Sequence, residues 1–409
     1  MAGPAVANSL SGHADSGRSL RDADARGHTR IANKRDRRHS DRFDVALATS
    51  SDDAAIRQLL RENPLRGEIT LSLEREPDSR FAATIEGDLH QTILARERST
   101  GRIAAIGSRS VHDAFVNGER CRLGYLGQLR IAAPFRASRE LLDTGFAFCR
   151  DLHGQGDARF YLASVVADNL SAHRLLLAGH STAAPAFRAA GRFNTLVLPR
   201  RQSRRMPYAG VEIRRGSNDL LEEVAACLAR HGRRHQFSRA WTAETLESSE
   251  RTRGLSIEDF IVAMRRGRVV GCVACWDQRS FKQAVVRGYS PRLSRWRWLV
   301  NGTAAITGLP KLPDIGRSLQ FVYLSHLAID EDPPEVAPAL VCTACHHLPA
   351  DIEYVVTGIA ASSPVQMALT RRFRHRTYQS CLYTAFWQDG ACALDALDRR
   401  LPHPELALL

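Results

Sequence analysis

The sequence predicts a mixed α/β protein in which a mostly antiparallel central sheet, flanked by helices, is built twice along the chain. Three observations carry this expectation. From Phe43 to Pro199 apolar alternation and helical periodicity interleave as strand, helix, three strands, helix, strand, helix, strand. Within that span, YLGQLRI from Tyr125 to Ile131 reads as a strand that runs through a basic turn into a helix. The same material then recurs: YLSHLAI starts at Tyr323, 198 residues after Tyr125, and YVVTGIAA starts at Tyr354, 193 residues after YLASVVAD at Tyr161. Near-equal offsets for two separate strands point to a duplication.

In chain order, residues 1–42 are rich in Ser, Asp, Arg, Gly and Ala and lack apolar periodicity, so a disordered basic tail is expected. Domain one spans 43–199. FDVALAT is a strand, Ser50 to Asp53 a cap, and AAIRQLLREN a helix with Ile56, Leu59 and Leu60 on one face. Strands near Thr92–Ala95 and Ile103–Ile106 pair across the turn RERSTGR. Leu126, Leu129 and Ile131 give the next strand its apolar bulk, and Gly127 marks a place for a bulge. Pro134 stops that strand, and Leu141, Leu142, Phe146 and Phe148 pattern a helix. RRQSRRMPYA (200–209) reads as a linker, 210–388 as a second, diverged domain beginning again with strand, cap and helix, and 389–409 as a C-terminal tail.

The 409 residues suffice for two or three domains, and 44% hydrophobic with 25% charged residues is an ordinary globular balance. No apolar run approaches the roughly 20 residues of a membrane-spanning helix. The opening MAGPAVANSLSGHADSG has neither a basic n-region nor an apolar h-region, so a cytoplasmic protein is expected. The net charge of +13 is spread over separate runs, at 30–42, 200–205, 287–298 and 371–376. Attraction of coenzyme phosphates uses such a field, and nucleic acid is not the expected partner.

The stretch from Ile131 to Arg136, IAAPFR, and the helix after it resemble motif A of the GCN5-related N-acetyltransferase (GNAT) superfamily, V-x-P-x-x-R-G-x-G. Ala137, Arg139 and Leu141 stand where that pattern often has small residues. Asn169-Leu-Ser-Ala172-His-Arg-Leu175-Leu176 resembles the family's N-x-x-A-x-x-L-(Y) segment, with Leu176 where many members carry a tyrosine general acid. The resemblance implies two tandem acyl-CoA N-acyltransferase folds. It also implies that acetyl-CoA is the donor, that the backbone of Leu129, Arg130 and Ile131 pairs with its pantetheine amides, and that the turn Arg136, Ala137, Ser138, Arg139, Glu140 holds the pyrophosphate, with Asn169 beside the pantetheine arm. A helix start with adjacent arginines suits phosphate on general grounds. In the second copy, Asp330-Glu331-Asp332-Pro333-Pro334-Glu335 follows Ile329. Carboxylates repel phosphate and prolines remove N–H donors, so that copy is not expected to bind coenzyme.

Amine acylation needs a proton acceptor for the amine and a donor for the leaving thiolate. Tyr125, Tyr161, Ser164 and Asp168, on or beside the two central strands, are the catalytic candidates. Two C-x-x-C pairs, Cys272/Cys275 and Cys342/Cys345, carry the spacing of zinc or haem motifs. In a strand, positions i and i+3 face opposite sides, and the second pair falls in a helical segment; both are read as structural cysteines, and no metal is expected. Trp296 and Trp298 are read as packing within an excursion of the second domain. The expected activity is therefore N-acetyl transfer to a small-molecule or peptide amine. A non-catalytic acyl-CoA sensor and an aminoacyl transferase using aminoacyl-tRNA are the rivals.

Overall fold

A computed structural model of the chain describes residues 37–177, 183–202, 208, 210–307, 311–330 and 333–409. The first 36 residues, most of the expected basic tail, lie outside them, as do 203–207 and 209 of the expected linker.

The first half contains β1 (Arg37–His39), β2 (Phe43–Leu47), α1 (Asp53–Glu62), β3 (Ile69–Glu74), α2 (Ser79–Glu86), β4 (Leu89–Glu97), β5 (Ile103–Val116), β6 (Glu119–Ile131), α3 (Arg139–Asp151), β7 (Tyr161–Val166), α4 (Leu170–Leu177) and β8 (Ala186–Pro199). The second half follows the same order with β9 (Glu212–Arg215), α5 (Leu221–Arg233), β10 (Ser238–Arg239), α6 (Ala243–Glu247), β11 (Phe260–Arg265) and β12 (Arg268–Trp276). It then adds β13 (Gln283–Tyr289) and α7 (Pro291–Thr307) before resuming with β14 (Phe321–Ile329), α8 (Val336–His347), β15 (Tyr354–Ala360), α9 (Pro364–Arg372) and β16 (Arg376–Phe386); α10 (Ala391–Asp395) closes the series.

One 14-stranded sheet runs through both halves in the order β1-β2-β4-β5-β6-β7-β16-β8-β15-β14-β12-β11-β9, with β10 attached to β5. The last strand of each half has crossed over. β16 pairs with β7 from Ser380↔Val166 to Ala385↔Tyr161, and β8 pairs with β15 from Tyr354↔Pro199 to Ala360↔Phe193. β3 and β13 form a second bond between the halves as a two-stranded sheet. Arg37–Leu409 is accordingly one compact unit, not separable domains at 43–199 and 210–388.

Three expectations need correction. Residues 37–39 belong to the sheet, because β1 pairs with β2, and Arg38 is bound by Asp151 at 2.7 Å. Residues 389–409 are not a tail: Leu394, Ala407 and Leu408 are buried in the core. Trp296 and Trp298 do not pack, since half or more of each is exposed on α7. The expected order of elements also lacked β3 and α2; β3 pairs along its length with the distant β13.

Core and cysteines follow the pleat. Cys272 joins the cluster under α5 and Cys275 the opposite cluster under α8, which also holds Cys342 and Cys345. Among the described residues no three His, Cys, Asp or Glu side chains converge on a metal-sized point, and no helix is long and apolar enough to cross a membrane.

A stack of histidines seals α5 to β14. The His231 and His235 rings lie 4.1 Å apart, and His403 meets His231 edge-on at 4.7 Å. Burial lowers the pKa of all three, that of His403 to about 3, and His326 is likewise pushed down to about 3. Each is neutral when folded and takes up a proton near 6.5 when unfolded. Their stabilisation is thus present above pH 6.5 and is lost as pH falls toward 3. The unfolding temperature should drop steadily between pH 7 and pH 4, and His403→Gln should flatten that slope when melting is followed by circular dichroism.

Candidate active site

β6 and β7 are parallel, and they pair only at Gly124↔Tyr161 and Tyr125↔Leu162. Beyond that point they separate. The cause is local: Gln128 sits at φ 54°, and the β5–β6 register slips between Ile106 and Ser108. The bulge therefore falls one residue past Gly127. Leu129 on β6 and Val166 on β7, flanking the separation, are 41% and 44% exposed, and Leu170 and Leu177 of α4 are exposed nearby in sequence.

At the far end of β6, Ala133–Phe135 forms a single 3₁₀ turn anchored by the buried Phe135. Ser138 caps α3, its hydroxyl accepting from the Leu141 N–H at 3.2 Å. Helix geometry leaves the N–H groups of Arg139 and Glu140 without intrahelical acceptors. Arg136, Ala137 and Arg139 are exposed, and Arg136 donates to Asn63 Oδ1 at 3.1 Å. Glu140 is turned to other work, accepting from the Arg42 N–H at 3.0 Å. Arg130 donates to the Leu129 carbonyl at 3.0 Å, and Ile131 is half-buried against the core. Asn169 Oδ1 accepts from the Ala172 N–H at 3.1 Å and so caps α4.

The second half repeats the geometry without the opening. His326, 198 residues after Gln128, also has positive φ (52°), but Leu327, Ala328 and Ile329 beyond it are buried. Asp330 then accepts from Arg230 at 2.6 Å and Arg268 at 2.9 Å. An internal carboxylate answers the arginines there. Glu331 and Asp332 lie outside the described residues.

Of the catalytic candidates, Tyr161 is fully buried. Its hydroxyl accepts from Arg109 Nε at 3.0 Å and lies 2.8 Å from His153 Nδ1, and burial raises its pKa to about 12. It is a structural anchor of the strand junction. Ser164 is half-buried opposite Leu382, and Asp168 is exposed in the turn after β7. Tyr125 is different. It belongs to the last β6–β7 pair and lines a small, partly open pocket with Leu162, Glu86, His112, Arg239 and Glu405. Burial and the nearby Glu86 raise its pKa, so it keeps its proton.

This chamber draws on both halves. Glu86, the last residue of α2, is buried and held by Arg75 and by Gln128 Nε2 at 3.1 Å; the positive groups Arg75, His90 and Lys282 outweigh burial and lower its pKa. Arg239 arrives on β10, paired to Ala114 of β5. Glu405 accepts the His326 N–H at 2.8 Å and the Ala407 N–H at 3.2 Å, yet burial raises its pKa to about 7. Lys282 donates to the Ala407 carbonyl at 2.9 Å, and burial lowers its pKa to about 8.

Sequence reasoning missed Glu86, Lys282, Arg239 and Glu405. For Glu86 a signal existed: Asp78 as N-cap, then Ala82 and Ile85 on one buried face. Nothing local marks the others.

No protein-family model and no curated protein matches the sequence. Among solved structures, the chain is similar to a GCN5-related glucosamine N-acetyltransferase region of a fungal multi-domain GH3 β-N-acetylglucosaminidase, with TM-score 0.56 and 13% identity over 84% of this chain, which spans 38% of that one. It is similar to Saccharomyces cerevisiae N-myristoyltransferase with bound myristoyl-CoA (0.53, 11%, covering 85% of this chain and 80% of that one). It is also similar to a GCN5-related N-acetyltransferase from Sphaerobacter thermophilus (0.50, 12%, covering 85% and 96%). The fold is that of the GCN5-related N-acetyltransferases.

The junction at the apex is sterically exact. A Cβ on Gly124 would stand 2.0 Å from Tyr161 Cδ1, and Arg109 and His153 hold that ring. Gly124→Ala should therefore destabilise the protein by about 3 kcal/mol in urea unfolding, near the upper end for overpacking.

Proposed function

We propose that the protein is an N-acyltransferase that transfers acetyl from acetyl-CoA to a small amine, with the donor in the first half. The observation that carries this reading is the separation of β6 from β7, which joins a basic helix start at one end to a polar chamber at its apex.

The donor fits the residues present. The edges of β6 at Leu129, Arg130 and Ile131 offer backbone groups that β7 does not take, and the turn Arg136–Glu140 offers helix N–H groups and two exposed arginines to phosphate. Asn169, as the cap of α4, fixes the start of the helix that borders the pantetheine arm. Beyond the apex the chamber carries Glu86, His112, Arg239 and Glu405. Such a lining suits an acceptor and a short acyl group; a long alkyl chain would desolvate charges there. Asp330 and the buried strand after His326 argue against a second donor site.

Bound acetyl-CoA supplies an activated thioester, so that a C–N bond forms at the acceptor nitrogen as the C–S bond breaks and the thiol leaves. The chain manages the protons. Glu86, oriented by Gln128, holds the amine. Glu405, poised near 7 by burial against Arg239 and Lys282, takes a proton from it. Tyr125, still protonated and with no hydrogen-bond partner among the described residues, gives a proton to the sulfur.

Acetyl-CoA at about 100 times its dissociation constant should stabilise the native protein by roughly 2.7 kcal/mol, and Arg136→Glu/Arg139→Glu should abolish that shift. In a thiol-release assay kcat should rise with pH through about 7 and fall by about 10²- to 10⁴-fold in Glu405→Gln, with the coenzyme shift retained. Donor series should favour acetyl over myristoyl. A coenzyme shift without turnover on any amine would select the sensor reading instead.

A further inference from the structure

β13 and α7 interrupt the order of elements that the two halves share. The segment 287–318 holds six Lys or Arg residues and one carboxylate, Asp314, which is paired with Arg297. One stripe of α7 at helical spacing, Leu293, Arg297, Val300 and Ala304, is turned toward the body, with Ala304 buried and the others half-buried. The opposite side leaves Trp296, Trp298 and Leu299 exposed, Trp298 by 70%. Arg292 and Arg295 are exposed among them.

The loop after α7 is strapped along the helix. Asn301 and Leu312 exchange two hydrogen bonds, at 2.7 and 3.1 Å, and Arg297 donates to the Leu312 carbonyl at 3.2 Å. This holds Ile315, 64% exposed, close to the helix, with Lys311 and Arg317 exposed on either side of it in the chain. Four large apolar side chains and four exposed cations therefore sit together on α7 and its loop, and covering the apolar ones would be favourable. The chemistry of the set selects what covers them. A second copy would bring cations against like cations. Nucleic acid would use the cations and the indole faces, but it gains nothing from Leu299 and Ile315. An interface of anionic lipid uses all three kinds: indoles at the headgroup level, aliphatic groups at the acyl boundary, and arginines reaching back to phosphate.

We propose that α7 docks the protein on an anionic phospholipid surface. Trp296, Trp298 and Leu299 enter the headgroup region, and Arg292 and Arg295 bind the phosphates. The helix lies on the bilayer and does not cross it, since arginine recurs at 292, 295 and 297. The half-buried stripe that includes Leu293 and Val300 stays against the body, so docking uses only side chains that the fold already leaves outside. The inference is independent of the acyltransferase reading above.

The test mixes the full chain with vesicles of phosphatidylcholine alone and of phosphatidylcholine with phosphatidylglycerol in a roughly 3:1 ratio. Binding is read by co-sedimentation and by tryptophan emission. Trp241, Trp276 and Trp387 are already buried, so a blue shift reports Trp296 and Trp298. Anionic vesicles should be bound about 10-fold or more tightly than neutral ones, and the preference should shrink as salt rises. Arg292→Gln/Arg295→Gln should weaken that binding by about 10- to 30-fold, and Trp296→Ser/Trp298→Ser by about 10-fold or more. All four side chains are exposed, so thermal melts followed by circular dichroism should be unchanged in both variants. Equal binding to the two vesicle types, binding to neither, or binding that survives both double variants would overturn the inference. So would tryptophan-dependent binding of poly(U) RNA tighter than that of the vesicles, or a dimer in sedimentation equilibrium that the tryptophan variant dissociates, because either sets a different occupant on α7.

Discussion

The exchange of β8 and β16 is the constraint on which the rest of the molecule depends. Each half supplies the strand that completes the other's sheet, through long antiparallel ladders, Arg376↔Val197 to Phe386↔Ala186 between the exchanged strands themselves. Separating the halves would leave two open edges exposing unpaired backbone in the middle of the sheet, a cost no local rearrangement removes. The exchange also settles where the second half's other pieces go. With β16 beside β7, the segment after it is delivered to the first half, where Asp389 meets His153 at 2.8 Å and Glu405 enters the chamber. β10 is drawn onto β5 and brings Arg239.

Against that shared frame the halves have parted chemically while keeping one backbone device. Gln128 and His326 hold the same left-handed conformation at the same point of equivalent strands. In the first half the bulge side chain reaches Glu86 and the strand beyond it is half exposed. In the second, the bulge residue is packed among Trp241, Phe260 and Trp276, and the strand beyond it is core. The phosphate end changes in step: exposed arginines lead into α3, whereas Asp330 neutralises Arg230 and Arg268 before α8. A bulge that opens a strand pair is useful for binding only where nothing else fills the gap. In the second half the strand after the bulge contributes apolar burial instead.

How much of this was legible follows from which forces act locally. The strand at Tyr125, its repeat at Tyr323 and the helix after Pro134 could be read because alternation, proline and periodicity are written within a dozen residues. The cysteine pairs could be placed because the strand pleat sends Cys272 and Cys275 to opposite cores. The strand exchange could not, since nothing in RTYQSCLYTAF states whether its partner is Tyr161 or Tyr354. Tyr125 lines the pocket, while Tyr161, on an equally good strand, is held by Arg109. Glu86, Arg239 and Glu405 meet only through nonlocal pairing, and a two-residue strand such as β10 has no pattern of its own.

The pocket at the β6–β7 junction gathers polar groups whose pKa values burial displaces. Elsewhere buried charges are paired, as Asp330 with its arginines, and in the pocket itself Glu86 is paired with Arg75. Burial raises the Glu405 pKa to about 7 against the two backbone N–H groups that lower it, and burial lowers Arg239 to about 10; Lys282, behind the pocket lining, is lowered by burial to about 8. Each is poised closer to neutrality than it would be in water, because the surroundings withhold both solvent and a full partner. Such groups destabilise the fold in proportion to their charge, and the two halves are locked together tightly enough to bear it.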